Sequence, residues 1–148
     1  MTLDLETTDD AIGSVRSHID NWAAAVRAHD LNGVLRHHAD DMVMFDVVGP
    51  LRIDGKEAYA RTWTESFFPW HGTTGRFELR DLAVEADDRV AFASALIDCA
   101  GTENGKAAAF TLRLTIGLVR RGGSWTVIHE HHSEPLPFDT SSIGTGRK

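Results

Sequence analysis

Three histidines and a glutamate stand within four consecutive positions near the end of the chain, in the stretch WTVIHEHHS at residues 125–133. A strand that only closes a core is typically built from valine, isoleucine and aromatic residues. Imidazole groups exchange protons near neutral pH, and a neighbouring carboxylate can orient them or stabilise their charge. The stretch therefore indicates acid–base chemistry, provided that the right side chains face a pocket.

Alternation along a strand places successive side chains on opposite faces. The inward set predicted for this closing strand is Trp125, Val127, His129, His131 and Ser133, and the outward set is Thr126, Ile128, Glu130 and His132. On the preceding strand the same rule separates Thr111, Arg113 and Thr115 from Phe110, Leu112, Leu114 and Ile116. We expect the polar set to enter the pocket and the apolar set to form a hydrophobic outer face suited to dimerisation.

A candidate catalytic set follows from this assignment of faces. Asp46, which lies in an earlier strand-like run, is expected to converge with Arg113, His129 and His131. Asp46 would be the general base and His131 or His129 the partner acid, while Arg113 would hold a carboxylate or an enolate. The predicted substrate-binding wall consists of Trp22, Trp63, Phe67, Thr115 and Ser133.

The same residues have other interpretations. Asp46 and Arg113 could be a structural ion pair, since buried charges persist when paired. His129 and His131 could be core histidines with satisfied hydrogen bonds. With Asp46 they could also form a two-histidine, one-carboxylate metal site of the kind that suits iron or zinc. We expect no metal and no cofactor.

The elements that must position these residues begin with a helix over residues 8–28, where Ile12, Val15, Ile19, Trp22 and Val26 recur at steps of three and four. Asp30 can cap a short second helix that ends near Ala39, and its neighbouring His37 and His38 are expected at the solvated surface. MVMFDVV and GPLRI then form strands, and a capping-box sequence at 54–57 begins a third helix, which Pro69 ends.

The second half of the chain changes to a strand-like period. The runs FELRDLAVEA, RVAFASALIDCA, AAAFTLRLTIGLVRR and WTVIHEHHSEP are divided by turn-forming Asp and Gly residues. Helices that precede a meander of four long antiparallel strands predict an α+β class, with one curved sheet covered on its concave face by the helices.

This order of elements, together with WAAAVRAHDLNGVLRHHADDMVMFDVVGPLRIDGKEAY and the closing GGSWTVIHEHHS, resembles the nuclear-transport-factor-2-like superfamily, most closely its SnoaL-like and ketosteroid-isomerase-like branch. The resemblance covers about Thr8 to Pro135. It implies a cystatin-like cone with an apolar pocket for a hydrophobic small molecule, and a homodimer formed through the outer face of the sheet. Asp46 matches the position of the catalytic aspartate of ketosteroid isomerases, whereas Trp22 and Thr115 stand where that enzyme has its oxyanion hole.

Length and composition narrow the function classes further. The 148 residues suit one domain over 1–135 followed by a flexible tail over 136–148. A net charge of −7 with few clustered basic residues argues against nucleic acid, and no apolar run is long enough to span a membrane. The acidic N-terminus lacks a secretory signal pattern, and a single thiol, at Cys99, suits a reducing cytoplasm. The leading hypothesis is cofactor-independent acid–base catalysis (isomerase, cyclase or dehydratase type) on a hydrophobic carbonyl compound; the alternative is a non-catalytic binding or dimerisation module.

Overall fold

A computed structural model of the chain describes residues 7–137. The helices are α1 (Thr8–Arg27), α2 (Leu31–Leu35), α3 (Lys56–Thr62) and α4 (Phe68–His71), with a π-helical turn (Trp63–Phe67) between α3 and α4. The strands are β1 (His38–Phe45), β2 (Ile53–Asp54), β3 (Arg76–Ala86), β4 (Val90–Glu103), β5 (Lys106–Arg121) and β6 (Ser124–Ser133). Of the predicted tail over 136–148, residues 138–148 lie outside the described part of the chain.

The six strands form one curved, open sheet in the order β2-β1-β6-β5-β4-β3. Strands β3 to β6 pair as an antiparallel meander, as predicted. Strand β1 pairs in parallel with β6, so the first and last strands lie side by side although they are far apart in the sequence. The predicted α+β class is therefore confirmed. Over residues 7–137, no helix has both the length and the apolar character needed to cross a membrane.

Helix α1 packs its apolar stripe against the concave face of the sheet. Thr7 caps the helix by accepting a hydrogen bond from the backbone N–H of Asp10. Val15, Ile19 and Val26 of the predicted stripe are almost completely buried. A stripe with a period near 3.6 thus located the helix and its buried face from sequence alone.

Helix α2 is a short turn pressed against α1, and it determines where β1 starts. Asp30 caps it by accepting a hydrogen bond from the backbone N–H of Gly33. Glycine fits at position 33 because a Cβ there would lie only 2.8 Å from Cβ of Ala25. Because α2 ends at Leu35, His38 is already the first residue of β1, and it is 6% exposed. The prediction of a solvated His38 is wrong for this reason.

The third helix continues past the predicted end at Pro69. It widens into the π-helical turn, in which the N–H of Phe68 bonds to the carbonyl of Trp63, and Pro69 then occupies the first turn of α4. Proline is tolerated there because N–H groups in the first turn lack helical partners. Trp63 and Phe67 consequently meet edge to face, with ring centroids 5.1 Å apart, and π-helical turns of this kind are frequent at functional sites.

A β-bulge in β6 decides which side chains of the closing strand face the helices. Gly117 of β5 pairs with His129 while Leu118 pairs with Val127, so Ile128 has no opposite residue. The extra residue reverses the alternation for everything after it. As a result Val127 faces the core before the bulge, and Glu130 and His132 face it afterwards.

Candidate functional site

An aromatic cavity of about 350 Å³ opens at the end of the cone between the π-helical turn and the sheet. Its apolar wall includes Met44, Trp63, Phe67, Trp70, Phe77, Phe110 and Leu112. The polar residues at the same wall are Asp46, Thr62, Ser66, Glu103, His132 and Glu134. An apolar cavity with a few converging polar groups is the usual form of a small-molecule site. We call it the main cavity.

Beneath the main cavity, one completely buried carboxylate collects three hydrogen bonds. Glu130 accepts at Oε1 from Nε2 of His132, at 2.8 Å. At Oε2 it accepts from the hydroxyl of Tyr59, at 2.6 Å, and from Nε2 of His38. The parallel pairing of β1 with β6 brings His38 to the carboxylate, and α3 supplies Tyr59.

These contacts determine the ionisation of the group. Burial by itself would raise the pKa of Glu130, but the charge of His38 and the hydrogen bonds from His132 and His38 outweigh it and lower the pKa to about 2. For His132, burial lowers the pKa, while the hydrogen bond to Glu130 and the charges of Glu130 and Asp46 give a net increase. The arrangement therefore favours a glutamate anion beneath a protonated His132.

The network extends to α1 through Tyr59. Nε1 of Trp22 donates to the Tyr59 hydroxyl at 2.9 Å, so that oxygen both accepts and donates. Burial, followed by the charge of Glu130, raises the pKa of Tyr59 well above its ordinary value. Tyr59 consequently remains a neutral donor, and His132 is the network member that lines the main cavity.

The predicted convergence of Asp46 with Arg113, His129 and His131 is wrong. The side chains of His129 and His131 lie on the outer face beside Phe45, with ring centroids 4.9 and 5.4 Å from it. Arg113 is exposed on the same face and donates from Nε to Oγ of Ser133 at 3.1 Å.

Two separate physical causes account for these errors. In β6 the bulge at Ile128 reverses the alternation. In β5 alternation is regular, but the apolar set of Leu112, Leu114, Ile116 and Leu118 is buried against the helices, and the polar set faces outward. Thr115, a predicted pocket residue, is therefore exposed and pairs with His131 across the outer face. These apolar side chains gain more free energy when they are buried against the helices than they would on the outer face of the sheet.

Three predicted residues do line the main cavity, namely Asp46, Trp63 and Phe67. Asp46 is partly exposed, and its Oδ1 accepts from the backbone N–H of Val47 at 2.7 Å. Trp22 is not among the lining residues: it is buried behind the wall and meets Trp63 edge to face at 6.0 Å. The roles of these side chains toward a substrate stay predictions.

The alternative interpretations also fail on geometry. His129 and His131 are not core histidines, because His131 is exposed and His129 is only partly buried on the outer face. Asp46 and Arg113 cannot be an ion pair that closes the cone, because Asp46 borders the main cavity while Arg113 lies on the outer face. Within residues 7–137, no three His, Cys, Asp or Glu side chains are grouped so that they could hold a metal ion, which removes the set of Asp46, His129 and His131.

Sequence reasoning missed His38, Tyr59, Glu130 and His132 as functional candidates. Glu130 and His132 share a face by simple alternation, so their pairing could have been found. Their inward orientation could not, because the bulge has no clear signature in WTVIHEHHS. His38 depends on the exact end of α2, and helix ends are among the least reliable features read from a sequence.

Comparisons with known proteins agree with this fold. The SnoaL-like domain model matches residues 15–137. None of the curated proteins matches the chain. Among solved structures, an NTF2-like protein of unknown function from Pseudomonas putida KT2440 is 34% identical, with a TM-score of 0.80 over 91% of this chain and 94% of that one.

Two more distant structures share the fold. A ketosteroid isomerase-like protein from Erwinia carotovora atroseptica is 17% identical, with a TM-score of 0.73 over 87% of this chain and 99% of its own. An NTF2-like superfamily protein from Salmonella enterica serovar Typhimurium is 14% identical, with a TM-score of 0.80 over 95% of this chain and 100% of its own. The chain has helices packed on a six-stranded sheet, and the SnoaL-like domain model matches most of its length. The chain therefore belongs to the SnoaL-like family of the NTF2-like superfamily.

Proposed function

We propose that the main cavity binds a hydrophobic small molecule with a carbonyl group, and that His132 and Asp46 perform acid–base chemistry on it. The observation that carries the proposal is His132, backed by the Glu130 anion, at the wall of an aromatic cavity. A histidine whose second nitrogen is held by a carboxylate is oriented for proton transfer at the first.

In this proposal the chemistry divides between Asp46 and His132. The Asp46 carboxylate takes a proton from the carbon next to the carbonyl. The electron pair of that C–H bond forms a C=C bond, and the π pair of the carbonyl moves to its oxygen. Protonated His132 stabilises the resulting enolate by a hydrogen bond from Nδ1, since Nε2 is engaged by Glu130. Asp46 then returns the proton at another position of the substrate, which completes an isomerisation. Alternatively, the enolate electrons expel a leaving group from the β-carbon, and that group departs with the proton held by Asp46, which completes an elimination.

The experiment is a thermal-shift screen of apolar ketones, lactones and aromatic acids, followed by mass-spectrometric and NMR detection of product from each stabilising compound. The variants are His132→Gln and Asp46→Asn. His131→Gln is the matched control, because it alters the neighbouring histidine on the opposite face.

We expect at least one carbonyl compound to stabilise the wild type, Asp46→Asn and His131→Gln. Turnover should fall by roughly 10²–10⁴-fold in Asp46→Asn and in His132→Gln and stay unchanged in His131→Gln. Binding with no turnover in the wild type would overturn the catalytic assignment and favour the binding module. Failure of all carbonyl compounds to bind would overturn the ligand class.

We also propose that the protein is a cytoplasmic homodimer that pairs through the outer face of the sheet. Phe45 is 37% and Phe92 54% exposed there, and Gly117 leaves a gap between Phe92 and His129 in the row that runs across β4, β5 and β6. Exposed aromatic groups of this kind are enriched at protein interfaces. Sedimentation at micromolar concentration should give a dimer that Phe92→Asp dissociates; a monomeric wild type would contradict the proposal.

A further inference from the structure

Two histidines outside the proposed site join the end of α1 to the end of α4. His29 follows α1 in a left-handed backbone conformation, with φ at 55°, and His71 is the last residue of α4. Nε2 of His29 lies 2.8 Å from Nδ1 of His71, which is a hydrogen-bonding distance. A hydrogen bond between two imidazole rings needs one nitrogen that carries a proton and one that does not. We call these two residues the histidine pair.

The histidine pair packs against the aromatic wall of the main cavity. The ring of His71 stacks on Phe67, with centroids 5.4 Å apart and 22° between the ring planes. The ring of His29 stacks on Phe68, at 4.5 Å and 15°. Because Phe67 lines the main cavity, the contact between the two histidines ties this wall to the end of α1.

The surroundings of His71 disfavour a positive charge on its ring. The residue is only 5% exposed, and its Nε2 is buried without a hydrogen-bond partner among the described residues. The backbone at Gly75 covers the ring so closely that a Cβ there would lie 2.6 Å from Cδ2 of His71. Burial, followed by the charge of His29, lowers the pKa of His71, and the backbone of Gly72 offsets only part of this decrease.

Among the described residues, no carboxylate is placed to stabilise a second proton on the histidine pair. The hollow beside the pair contains Arg27 of α1 and Arg76 of β3, and its one carboxylate is that of Glu78. Glu78 is exposed and lies 3.8 Å from Nη1 of Arg27. The residues that β4 and β5 contribute to the hollow are alanines. Asp30, which follows His29, uses its carboxylate to cap α2.

We propose that the histidine pair is an acid-sensitive latch, which holds α4 and the adjoining wall of the main cavity against the end of α1. The latch is closed while at least one ring is neutral, because that ring can present a bare nitrogen to the other. When both rings are protonated, two N–H donors face each other and the contact opens. The latch itself does not depend on the function proposed for the main cavity, whereas its effect on the entry of a ligand rests on that function.

The test is backbone amide hydrogen exchange of the full chain, followed by NMR between about pH 7 and about pH 5. Rates are expressed as protection factors, which remove the intrinsic pH dependence of exchange. The reporters are the N–H groups of Gly72 and Phe68, which bond to the carbonyls of Phe68 and Trp63. Amides in the middle of α1 are the internal reference.

His29→Asn and His71→Gln are the test variants, because neither new side chain titrates in this pH range. Asparagine tolerates the left-handed backbone at position 29. His131→Gln, which removes an exposed histidine from the outer face of the sheet, is the matched control.

In the wild type we expect the protection of the two α4 amides to fall about tenfold as the pH decreases, while the α1 reference stays unchanged. The sign follows from the lowered pKa of His71: the closed latch is fully stable above about pH 6.5 and loses stability below it, approaching tenfold per pH unit for one linked proton. The decrease should persist in His131→Gln and disappear in His29→Asn and His71→Gln.

The latch would be overturned by weak protection of both α4 amides already at pH 7, or by protection in the wild type that does not change with pH. An equal loss of protection in α1, or the same pH dependence in the two test variants, would overturn it as well. No ligand enters this measurement, so its outcome is separate from whether the main cavity binds a carbonyl compound.

Discussion

Replacement of Glu130 by Gln tests the central feature of the network, a buried anion held by three donors. The amide has a single oxygen, and its NH₂ group would meet an N–H or O–H donor where Glu130 has an acceptor. The fall of the Glu130 pKa from 4.5 to about 2 corresponds to about 3 kcal/mol of stability at neutral pH, since one pH unit is worth about 1.4 kcal/mol. For a chain of this length that predicts a decrease in Tm of roughly 6–12 °C.

The pH dependence gives the effect its sign. A carboxyl group whose pKa is lower in the folded state stabilises the protein above its unfolded-state pKa, and the stabilisation disappears as the pH falls. The wild type should therefore lose this part of its stability between about pH 5 and pH 2, and Glu130→Gln should lack that part of the acid limb.

The assay is urea unfolding at pH values from 3 to 7, for the wild type, Glu130→Gln and Glu85→Gln. Glu85 is an exposed glutamate of β3 and controls for the loss of a negative charge. The reasoning would be refuted if the free energy of unfolding of Glu130→Gln lay within about 1 kcal/mol of the wild-type value at pH 7 and decreased in the same way at acid pH. Loss of a buried carboxylate with three donors should cost more than that.

Three further predictions concern the same region and the core. The pKa of His132, measured by NMR, should exceed 6.5 in the wild type and fall in Glu130→Gln; because it is raised, its stabilising contribution is complete below pH 6.5 and is lost as the pH increases through the folded-state value. Tyr59→Phe should lower the free energy of unfolding by about 1–3 kcal/mol in urea titrations, since Glu130 loses a donor and Trp22 loses its acceptor. Cys99 is buried, which raises its pKa to about 12, so a thiol reagent should react with it at pH 8 only as fast as the protein unfolds; rapid labelling would contradict this.

The fold was predictable because the helical and strand periodicities and the turn residues all indicate the same order of elements. Val15, Ile19 and Val26 repeat with the helical period, and Gly122-Gly123 separates two long strand-like runs. These are local signals, and they determine elements whether or not a pocket exists. The aromatic residues Trp63 and Phe67 reached the main cavity for the same reason, since their spacing already placed them on one side of a helix.

Only some residues of the candidate site were predictable, because the face of the sheet on which a side chain lies depends on the strand register. Asp46 was found by the resemblance of its surroundings to a known family, and it does line the main cavity. His129 and His131 were placed inward by a rule that assumes unbroken alternation, and one unpaired residue at Ile128 exchanges them for Glu130 and His132.

By itself, the sequence of this protein determined the α+β class, the order of the elements and the chemical types available for catalysis. Only the tertiary structure decided which of the three histidines of β6 meets the cavity, and that β1 pairs with β6 and so brings His38 to Glu130. The physical reason is that periodicity is a property of neighbouring residues, whereas the bulge and the parallel pairing arise from how distant strands satisfy each other's hydrogen bonds.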